Sequence, residues 1–416
     1  RLSESNHFRS WSASNRFRGG MLALIRLCNT SLVRRLRPVV LRVEFRLHSQ
    51  LNAFTNEHDR QEHMQAIVYH NNKDIRLEDI PEPIPGPGEV KLRITGTSIC
   101  ATDIEEWQFG PLWVQHGSPN AITGKQTPLV IGHETSGQVA DLGEGVDNVA
   151  VGDRVAINTV LICGKCYWCL RGQQAVCPNM AVAGFMADGG LAEFMVWPAD
   201  QLVPMPDSIS DIEAPLLEPA TVAVHGVRRS GVRVGDNVAV IGCGTVGLLT
   251  VQAFKAAGAK VFAIDVREKS LALAKDFGAD AVVNSRDESA AASRILELTG
   301  GIGPDIVVES AGAKETPRMA IDWTRRGGTT LLLGIYSTKP EIDFNSVVGR
   351  EITVIGSVAT SPGDLEATVK LVGSGQINVK PLISATVPLS RALEDGFEKM
   401  LDPNKEIFRI VIEPGK

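Results

Sequence analysis

The sequence lacks any apolar run that approaches the roughly 18 residues needed by a membrane-spanning helix, although 44% of its 416 residues are hydrophobic. It also lacks internal repeats and low-complexity tracts. These absences exclude a helical membrane protein and a repeat array, and they predict that the protein has no membrane partner. A chain of this length is long enough for two or more globular domains of ordinary size.

Lysine is absent from the first 63 residues, which carry eleven Arg and only five acidic residues. The net charge of −6 is therefore unevenly distributed, because this segment contributes +6 and the rest of the chain −12. A body this acidic argues against a nucleic-acid-binding surface, which needs clustered positive charge. We expect no nucleic-acid partner.

The segment from Met21, MLALIRLCNTSLVRRLR, is basic, amphipathic and free of acidic residues, as mitochondrial transit segments are. Translated upstream sequence, with Met64 as the true start, explains it equally well. Neither interpretation gives residues 1–63 a role in the mature fold, so we treat them as an N-terminal extension. We expect a cytoplasmic protein, or a mitochondrial one if the segment is a transit peptide.

Two kinds of pattern divide the rest of the chain. Residues 64–216 contain short alternating strands punctuated by Gly and Pro, which predict a β-rich domain. Residues 217–357 alternate apolar runs with amphipathic helical stretches, and six such runs predict a doubly wound parallel sheet with helices on both faces. Residues 358–416 are too few for another domain, so we expect them to return to the first. The predicted fold class is α/β.

The stretch from Val238 to Asp265 has the pattern of a dinucleotide-binding βαβ unit. An apolar run enters the turn GCGTVG, a helical segment follows, and a second apolar run ends on Asp265. Such a turn brings backbone N–H groups and a helix N-terminus to a pyrophosphate. Asp265 would bind a ribose 2′-hydroxyl and repel a 2′-phosphate, which favours NAD over NADP; a strand–turn–helix without nucleotide is the alternative. The predicted contacts in the turn are Gly242, Gly244, Thr245, Val246 and Gly247.

Cysteine is sparse outside one short loop. Four of the seven cysteines lie at Cys163, Cys166, Cys169 and Cys177, and the others are scattered. This distribution is unlike that of a disulfide-stapled secreted protein and favours a reducing environment. Four thiolates at these spacings predict a closed tetrahedral Zn²⁺ site, which is structural because no position remains for substrate. Two disulfides or a redox Cys-x-x-Cys pair are the alternatives.

A second group of metal-ligand types is dispersed along the chain. Cys100 follows a strand in TSICATD, and His133 and Glu134 follow another in VIGHE. Glu218 precedes a proline in LLEPA. Cys, His and carboxylate are ligands of a catalytic zinc that keeps one position open. Each residue also has an ordinary explanation, because a single His is usually structural and a Glu before Pro often caps a helix.

Together, these motifs resemble the medium-chain, zinc-containing alcohol dehydrogenase family from about Met64 to the C-terminus. The resemblance rests on GHE, the four-cysteine loop, GDRV, EP and GCGTVG occurring in this order. The stretches TGKQTPLVIGHE and EPATVAVH look most like the butanediol and polyol dehydrogenases. The resemblance implies a GroES-like catalytic domain at residues 64–216, completed by residues 358–416, and an NAD-binding Rossmann domain at residues 217–357. It also implies a homodimer or homotetramer.

The resemblance gives the dispersed residues a shared role. Cys100, His133 and either Glu134 or Glu218 would hold a catalytic zinc, with both glutamates kept as candidates. Asp103 would accept a hydrogen bond from the ring of His133 and hold it in the ligating tautomer.

The family also implies a proton route and a nicotinamide contact. Thr102 would bind the substrate oxygen and pass its proton outward, and Thr221 would lie beside the nicotinamide. For Thr102 and Asp103, a turn pair without catalytic function is the alternative. The chain departs from the family in having Ala101 in place of the usual Gly, and Glu105 where many relatives carry the His that ends the relay. A carboxylate takes a proton at lower pH than an imidazole, so we expect an altered pH–rate profile.

The implied activity is reversible hydride transfer between NAD(H) and a secondary alcohol or vicinal diol resembling 2,3-butanediol, with one catalytic and one structural zinc. Sorbitol, other polyols and L-threonine are alternative substrates. Outside the enzymes, the alternative is a zinc- and nucleotide-binding interaction protein. Zinc content separates the two classes, since the enzyme needs about two ions per chain and the binding protein about one.

Overall fold

Two sheets of different kinds organise the protein in the computed structural model, which describes residues 62–402 and 407–415. The transit-like segment from Met21 lies outside the described residues. No helix among the described residues has both the length and the apolar character to span a bilayer.

The strands lie in both halves of the described chain. They are β1 His63–Asn71, β2 Asp74–Pro81, β3 Glu89–Ser98, β4 Leu129–Val130, β5 Glu134–Leu142, β6 Arg154–Ile157, β7 Val160–Leu161, β8 Ala181–Val182, β9 Phe194–Pro198, β10 Leu202–Pro204, β11 Asn237–Ile241, β12 Lys260–Asp265, β13 Ala281–Asn284, β14 Ile306–Glu309, β15 Thr329–Leu332, β16 Thr353–Gly356, β17 Ile383–Pro388 and β18 Arg409–Glu413.

The α-helices are concentrated after β10. They are α1 Ala101–Phe109, α2 Leu217–Ser230, α3 Thr245–Ala256, α4 Glu268–Asp276, α5 Glu288–Leu298, α6 Thr316–Trp323, α7 Phe344–Arg350, α8 Asp364–Gly373 and α9 Glu398–Met400.

The first large sheet combines strands from opposite ends of the chain. Its order is β10-β6-β5-β3-β18-β17, and β9 also pairs with β3. Strand β18 runs antiparallel to β3, with Val411 opposite Ser98 and Ile412 opposite Thr97. The C-terminal strands are therefore part of the β-rich sheet, and β18 lies beside the strand that leads to Cys100.

The smaller sheets of the β-rich half contain a strand that the sequence pattern did not predict. A three-stranded sheet has the order β2-β1-β4, and β7 pairs with β8. Strand β2 forms a hairpin with β1, in a stretch where we predicted no individual strand. Four of its eight residues are charged and Ile75 is its only buried residue, so the apolar pattern of the strand is weak.

The second large sheet is parallel and has the order β13-β12-β11-β14-β15-β16. Its strands are apolar on both faces because helices cover both faces. Val238 and Val240 pack with residues of α2 and α3, whereas Ala239 and Ile241 pack with residues of α5 and α6. The doubly wound order and the predicted α/β class are thereby confirmed.

Candidate active site and metal centres

The four-cysteine loop gathers its sulfur atoms into one cluster. Neighbouring Sγ atoms lie 3.4 to 4.0 Å apart, and all four cysteines are free thiols. A tetrahedral zinc with Zn–S bonds of about 2.3 Å requires sulfur–sulfur separations of about 3.8 Å. The cluster therefore fits a four-thiolate zinc and leaves no position for a substrate.

Backbone hydrogen bonds within the loop favour the thiolate form of one of these cysteines. A backbone N–H of Lys165 donates to Cys163, and this is the main reason that the pKa of Cys163 falls to about 6. A thiolate, and not a thiol, is the metal ligand. The loop thus supplies the first anionic ligand near neutral pH without help from distant residues.

The dispersed ligands converge as well. Cys100 precedes the first residue of α1, His133 ends the turn before β5, and Glu134 is the first residue of β5. One ligand atom from each of the three lies within 4.8 Å of the others. This donor set contains a thiolate, an imidazole and a carboxylate, which suits a zinc that keeps one position open. Glu218 lies outside this group of ligand atoms.

The ring of His133 is fixed from two sides. Asp103 Oδ1 lies 3.2 Å from His133 Nδ1, at ion-pair distance, and the ring of Phe185 packs on the imidazole with centroids 4.7 Å apart. Nε2 faces the other way, 3.4 Å from Thr102 Oγ1. Burial lowers the pKa of His133. The charge of Asp103 outweighs burial and raises that pKa well above its usual value. The second ring nitrogen is therefore the one available to a metal.

Asp103 also holds the start of α1. Its Oδ2 accepts the backbone N–H of Cys100 at 2.8 Å, and the residue is buried. One carboxylate thus positions both the thiol of Cys100 and the imidazole of His133. This arrangement matches the orienting role expected of Asp103.

A buried arginine fixes Glu134. Arg409 Nε donates to Oε2 and Nη2 donates to Oε1, each at 2.8 Å, and Ser98 Oγ also donates to Oε2. Glu134 is fully buried and Arg409 is 5% exposed. Burial raises the pKa of Glu134, but the charge and hydrogen bonds of Arg409 outweigh it and lower that pKa. Glu134 is held as a carboxylate.

Glu218 lies in α2 and has a different environment. Among the described residues, none donates a hydrogen bond to its carboxylate, on which only burial and nearby charges act. Burial raises the pKa of Glu218 to about 7, against the lowering effect of the charge of His133. Its carboxyl group is thus close enough to interact with the Cys100–His133–Glu134 cluster, and it remains unpaired.

The glycine-rich turn has the geometry that binds a pyrophosphate. Gly242 has a φ of +92°, and a Cβ on Gly247 would collide with the carbonyl oxygen of Gly242. By contrast, the space around Gly244 is open to 4 Å. Thr245 and Val246 begin α3, so the helix N-terminus faces this open space.

Asp265 ends β12 beside the turn. Its Oδ2 accepts the backbone N–H of Cys243 at 2.7 Å, and its Oδ1 accepts that of Arg267 at 2.8 Å. Its side chain is therefore locked at the carboxyl edge of the sheet, where dinucleotide ribose groups bind.

Arg409 connects the metal-ligand cluster to the nucleotide turn. Its Nη1 donates to Thr245 Oγ1 at 3.0 Å, and its Nη2 lies 3.5 Å from Cys100 Sγ. Sequence inspection missed this residue. The signal that could have found it is a lone arginine in the apolar strand FRIVI, because an arginine is rarely buried without a partner.

Comparison with known proteins finds a dehydrogenase family for each half of the chain. Residues 86–207 match the alcohol dehydrogenase GroES-like domain family, and residues 245–374 match the zinc-binding dehydrogenase family. The chain is 33% identical over 356 residues to a (R,R)-butanediol dehydrogenase of Bacillus subtilis, covering 84% of this chain and all of that enzyme. It is 37% identical over 330 residues to sorbitol dehydrogenase 1 of Saccharomyces cerevisiae, covering 77% and 89%.

A solved structure shares the fold. The crystal structure of 2R,3R-butanediol dehydrogenase from Bacillus subtilis superposes with a TM-score of 0.78 at 32% identity, covering 84% of this chain and 99% of that one. The chain therefore belongs to the medium-chain, zinc-binding alcohol dehydrogenase family. It is an oxidoreductase that acts on alcohols, with a GroES-like domain and an NAD(P)-binding Rossmann domain.

Proposed function

We propose that this enzyme oxidises a small secondary alcohol, in particular a vicinal diol, with NAD as the hydride acceptor, and catalyses the reverse reduction. The observation that carries the proposal is the position of Arg409. It contacts both Glu134 of the metal-ligand cluster and Thr245 of the nucleotide turn, so the two sites lie within the reach of one side chain.

Cys100, His133 and one of the two glutamates would hold the catalytic zinc, and the four-cysteine loop would hold the structural one. Zinc at the first site supplies a Lewis acid that lowers the pKa of an alcohol hydroxyl. Thr102 Oγ1, which lies 3.4 Å from His133 Nε2, would accept the hydroxyl proton. Phe185 covers the ring of His133 and excludes water from that side.

Each of the two glutamates has one feature that favours it as the third zinc ligand. Glu134 lies within the cluster, but its oxygens already accept hydrogen bonds from Arg409 and Ser98. Glu218 lies farther away but has no competing donor among the described residues. Zinc content should fall more in Glu218→Gln than in Glu134→Gln if the unpaired carboxylate is the ligand, and the reverse order assigns the metal to Glu134.

The cofactor preference follows from Asp265. Its carboxylate is locked at the edge of β12 by the N–H groups of Cys243 and Arg267, so it cannot turn away from a 2′-phosphate. We therefore expect NAD to be used much better than NADP. Binding of NADH and NADPH, followed by the enhancement of nicotinamide fluorescence, checks this without turnover.

The decisive experiment combines elemental analysis with an NAD-coupled substrate panel on the full-length protein. We expect about two zinc ions per chain and reduction of NAD in the presence of 2,3-butanediol. Sorbitol and L-threonine are the alternative substrates in the panel. One zinc per chain and no oxidation of any alcohol would instead indicate a zinc- and nucleotide-binding protein without turnover.

We also propose that the enzyme forms a homodimer through β16. This strand is the edge of the parallel sheet, and its Val354 is 41% exposed. In the adjacent α7, Phe344 and Val348 are 68% and 77% exposed. An open edge next to exposed apolar side chains is a ready surface for pairing with a second copy. Light scattering should show a dimer, and Val354→Lys should shift it to the monomer.

A further inference from the structure

A buried glutamate lies where the parallel sheet reverses its strand order. The strands run outward from β11 to β13 on one side and from β14 to β16 on the other, so the switch point is the crevice between the carboxyl ends of β11 and β14. Dinucleotides bind across such a crevice. Glu309 is the last residue of β14 and is fully buried. Its carboxylate therefore lies at the edge of the sheet where the cofactor is expected.

The two halves of a dinucleotide fall on opposite sides of this crevice. Asp265 at the end of β12 is the expected partner of the adenosine ribose, and the glycine turn after β11 is the expected pyrophosphate site. A dinucleotide that extends from β12 across β11 continues over β14 and β15. The nicotinamide half is therefore expected at the loops that follow these two strands, residues 310–315 and 333–343.

The carboxylate of Glu309 joins these two loops. Its Oε1 accepts the backbone N–H groups of Ala311 and Gly312, each at 2.9 Å, and the hydroxyl of Thr316 at 2.7 Å. Its Oε2 accepts the hydroxyl of Tyr336, which belongs to the loop after β15. Burial and this hydrogen bond raise the pKa of Tyr336, so the phenol remains the donor. One carboxylate thus sets the position of one loop relative to the other.

The two loops also pack closely against each other and against the glycine turn. A Cβ on Gly242 would lie 2.8 Å from the Cβ of Ala311, and a Cβ on Gly312 would lie 2.5 Å from the carbonyl oxygen of Ile335. In addition, Ser310 Oγ donates to the carbonyl of Gly242 at 2.8 Å. A displacement of the loop after β15 is therefore transmitted to the loop after β14 and to the glycine turn.

The chemistry of Glu309 exceeds what the sheet alone requires. Its donors among the described residues are two backbone N–H groups and two hydroxyls, and no Lys or Arg is among them. Burial of a carboxylate without a cationic partner is energetically costly, and an apolar side chain at the end of a strand avoids that cost. A carboxylate at this position supplies directional hydrogen bonds, which hold a functional loop more precisely than apolar packing does.

We propose that Glu309 and Tyr336 are positioning residues for the nicotinamide half of the cofactor. Their hydrogen bond fixes the loop after β15 against the loop after β14 and so sets the orientation of the nicotinamide ring. The proposal rests on the proposed function, because it takes NAD as the hydride acceptor. Orientation matters for this reaction, since the reacting atoms must lie roughly 3–3.5 Å apart with the correct alignment.

The test compares a ligand that has the nicotinamide ring with one that lacks it. Tyr336→Phe keeps the aromatic ring of the side chain and removes the donor to Glu309. Calorimetry on the full-length, zinc-loaded protein should show NADH binding about tenfold weaker in this variant, as for the loss of a hydrogen bond to a charged group. ADP-ribose should bind the variant and the unmodified protein equally well. The matched control is Tyr167→Phe, which changes an exposed tyrosine of the four-cysteine loop and should alter neither affinity.

A spectroscopic measurement and a second variant separate positioning from loss of folding. The fluorescence enhancement of NADH at saturation depends on the surroundings of its ring, and it should be smaller in Tyr336→Phe than in the unmodified protein. Glu309→Gln keeps an oxygen that accepts the two N–H groups and removes the charge that Tyr336 faces. It should also weaken binding of NADH and leave binding of ADP-ribose unchanged. In the double variant, NADH affinity should be no lower than in Tyr336→Phe, because the two residues act through one bond.

Unchanged NADH affinity and fluorescence in Tyr336→Phe and Glu309→Gln, or an equal loss of affinity for NADH and ADP-ribose, overturns the proposal. The proposed function fails separately if the unmodified protein reduces NAD with none of the alcohols while the difference between the two ligands persists. Absence of binding of both ligands to the unmodified protein overturns both.

Discussion

The two candidate metal sites of this enzyme are assembled in opposite ways. One consists of four cysteines within residues 163–177, brought together by short turns. The other combines Cys100, His133 and Glu134 with Arg409, a residue of strand β18 near the other end of the chain. The first group therefore depends on local backbone geometry, and the second depends on the pairing of β18 with β3.

The two groups also differ in the source of the free energy that orders them. The cysteine loop has little apolar core of its own, so zinc binding would supply much of the free energy that orders it. The cluster of Cys100, His133 and Glu134 is ordered by protein contacts, because Arg409 and Ser98 fix Glu134 and Asp103 fixes both Cys100 and His133. One site is expected to fold with its metal, and the other to be formed before its metal binds.

Loss of a loop cysteine should have the largest effect on stability. Cys177→Ser removes one of four ligands, and the zinc binding free energy at stake is on the order of 10 kcal/mol. We expect zinc content to fall by about one ion per chain and proteases to cut the loop, while the catalytic zinc remains. Retention of both ions with an intact loop would contradict the local assembly of this site.

Loss of a catalytic ligand should affect activity and leave the fold intact. Cys100→Ser should reduce kcat/KM on the order of 10³-fold, because the catalytic metal supplies several kcal/mol of transition-state stabilisation. The matched comparison is Cys177→Ser, which loses the other ion. A thermal midpoint that drops as far in Cys100→Ser as in Cys177→Ser would show that the two sites are not assembled differently.

Substitution of Arg409 tests whether long-range contacts hold the dispersed site together. Arg409→Met leaves the buried charge of Glu134 without a partner, which should lower the free energy of unfolding by about 3–5 kcal/mol. The double variant Arg409→Met/Glu134→Gln should recover much of this loss, as measured by urea unfolding of the zinc-free proteins. Equal stability of the single and double variants would mean that the ion pair does not hold the cluster.

Acid should weaken a second long-range contact, which joins α2 to α8. Asp364 lies at the start of α8 and binds His225 Nδ1 at 2.7 Å and Arg228. Burial raises the pKa of Asp364, but these hydrogen bonds outweigh it and lower that pKa. A lowered pKa means that the contribution to stability is present above the ordinary Asp pKa of about 3.9 and is lost as pH falls below it.

The matched variants for this contact are Asp364→Asn and Asp395→Asn. Asp364→Asn should cost about 2 kcal/mol at neutral pH, typical of hydrogen bonds to a charged group, and progressively less in acid. Asp395→Asn removes a partly exposed surface carboxylate paired with Arg391 and Lys399 and should have a smaller effect. A cost for Asp364→Asn that does not change between pH 7 and pH 3 would rule out this linkage.

We expect the smallest effect, a shift of the pH–rate profile, from a substitution of Glu105 at the predicted end of the proton relay. Glu105 lies three residues after Thr102 in α1, and partial burial raises its pKa. In Glu105→His the acid limb of the pH–rate profile should move to higher pH, by less than the roughly two units that separate ordinary Glu and His. A profile of Glu105→His that superimposes on the wild-type profile would show that the relay does not pass through this residue.

Local patterns predicted much of the structure. The glycine-rich turn, the six parallel strands and the four-cysteine loop are each encoded by neighbouring residues, and their positions follow from spacing. Strand β2 was missed because its alternation is weak. Phe185 and Arg409 were missed as parts of the site, because nothing in their sequence surroundings specifies which distant residue they contact.

The sequence by itself determined the family, the α/β class, the nucleotide turn and the sulfur ligands of the loop, because short-range geometry fixes each of them. Only the tertiary structure decided that Arg409 pairs with Glu134 and that Asp103 serves both Cys100 and His133. The physical reason is that these contacts join segments far apart in the chain, and their partners are selected by sheet pairing and by the need to neutralise buried charge.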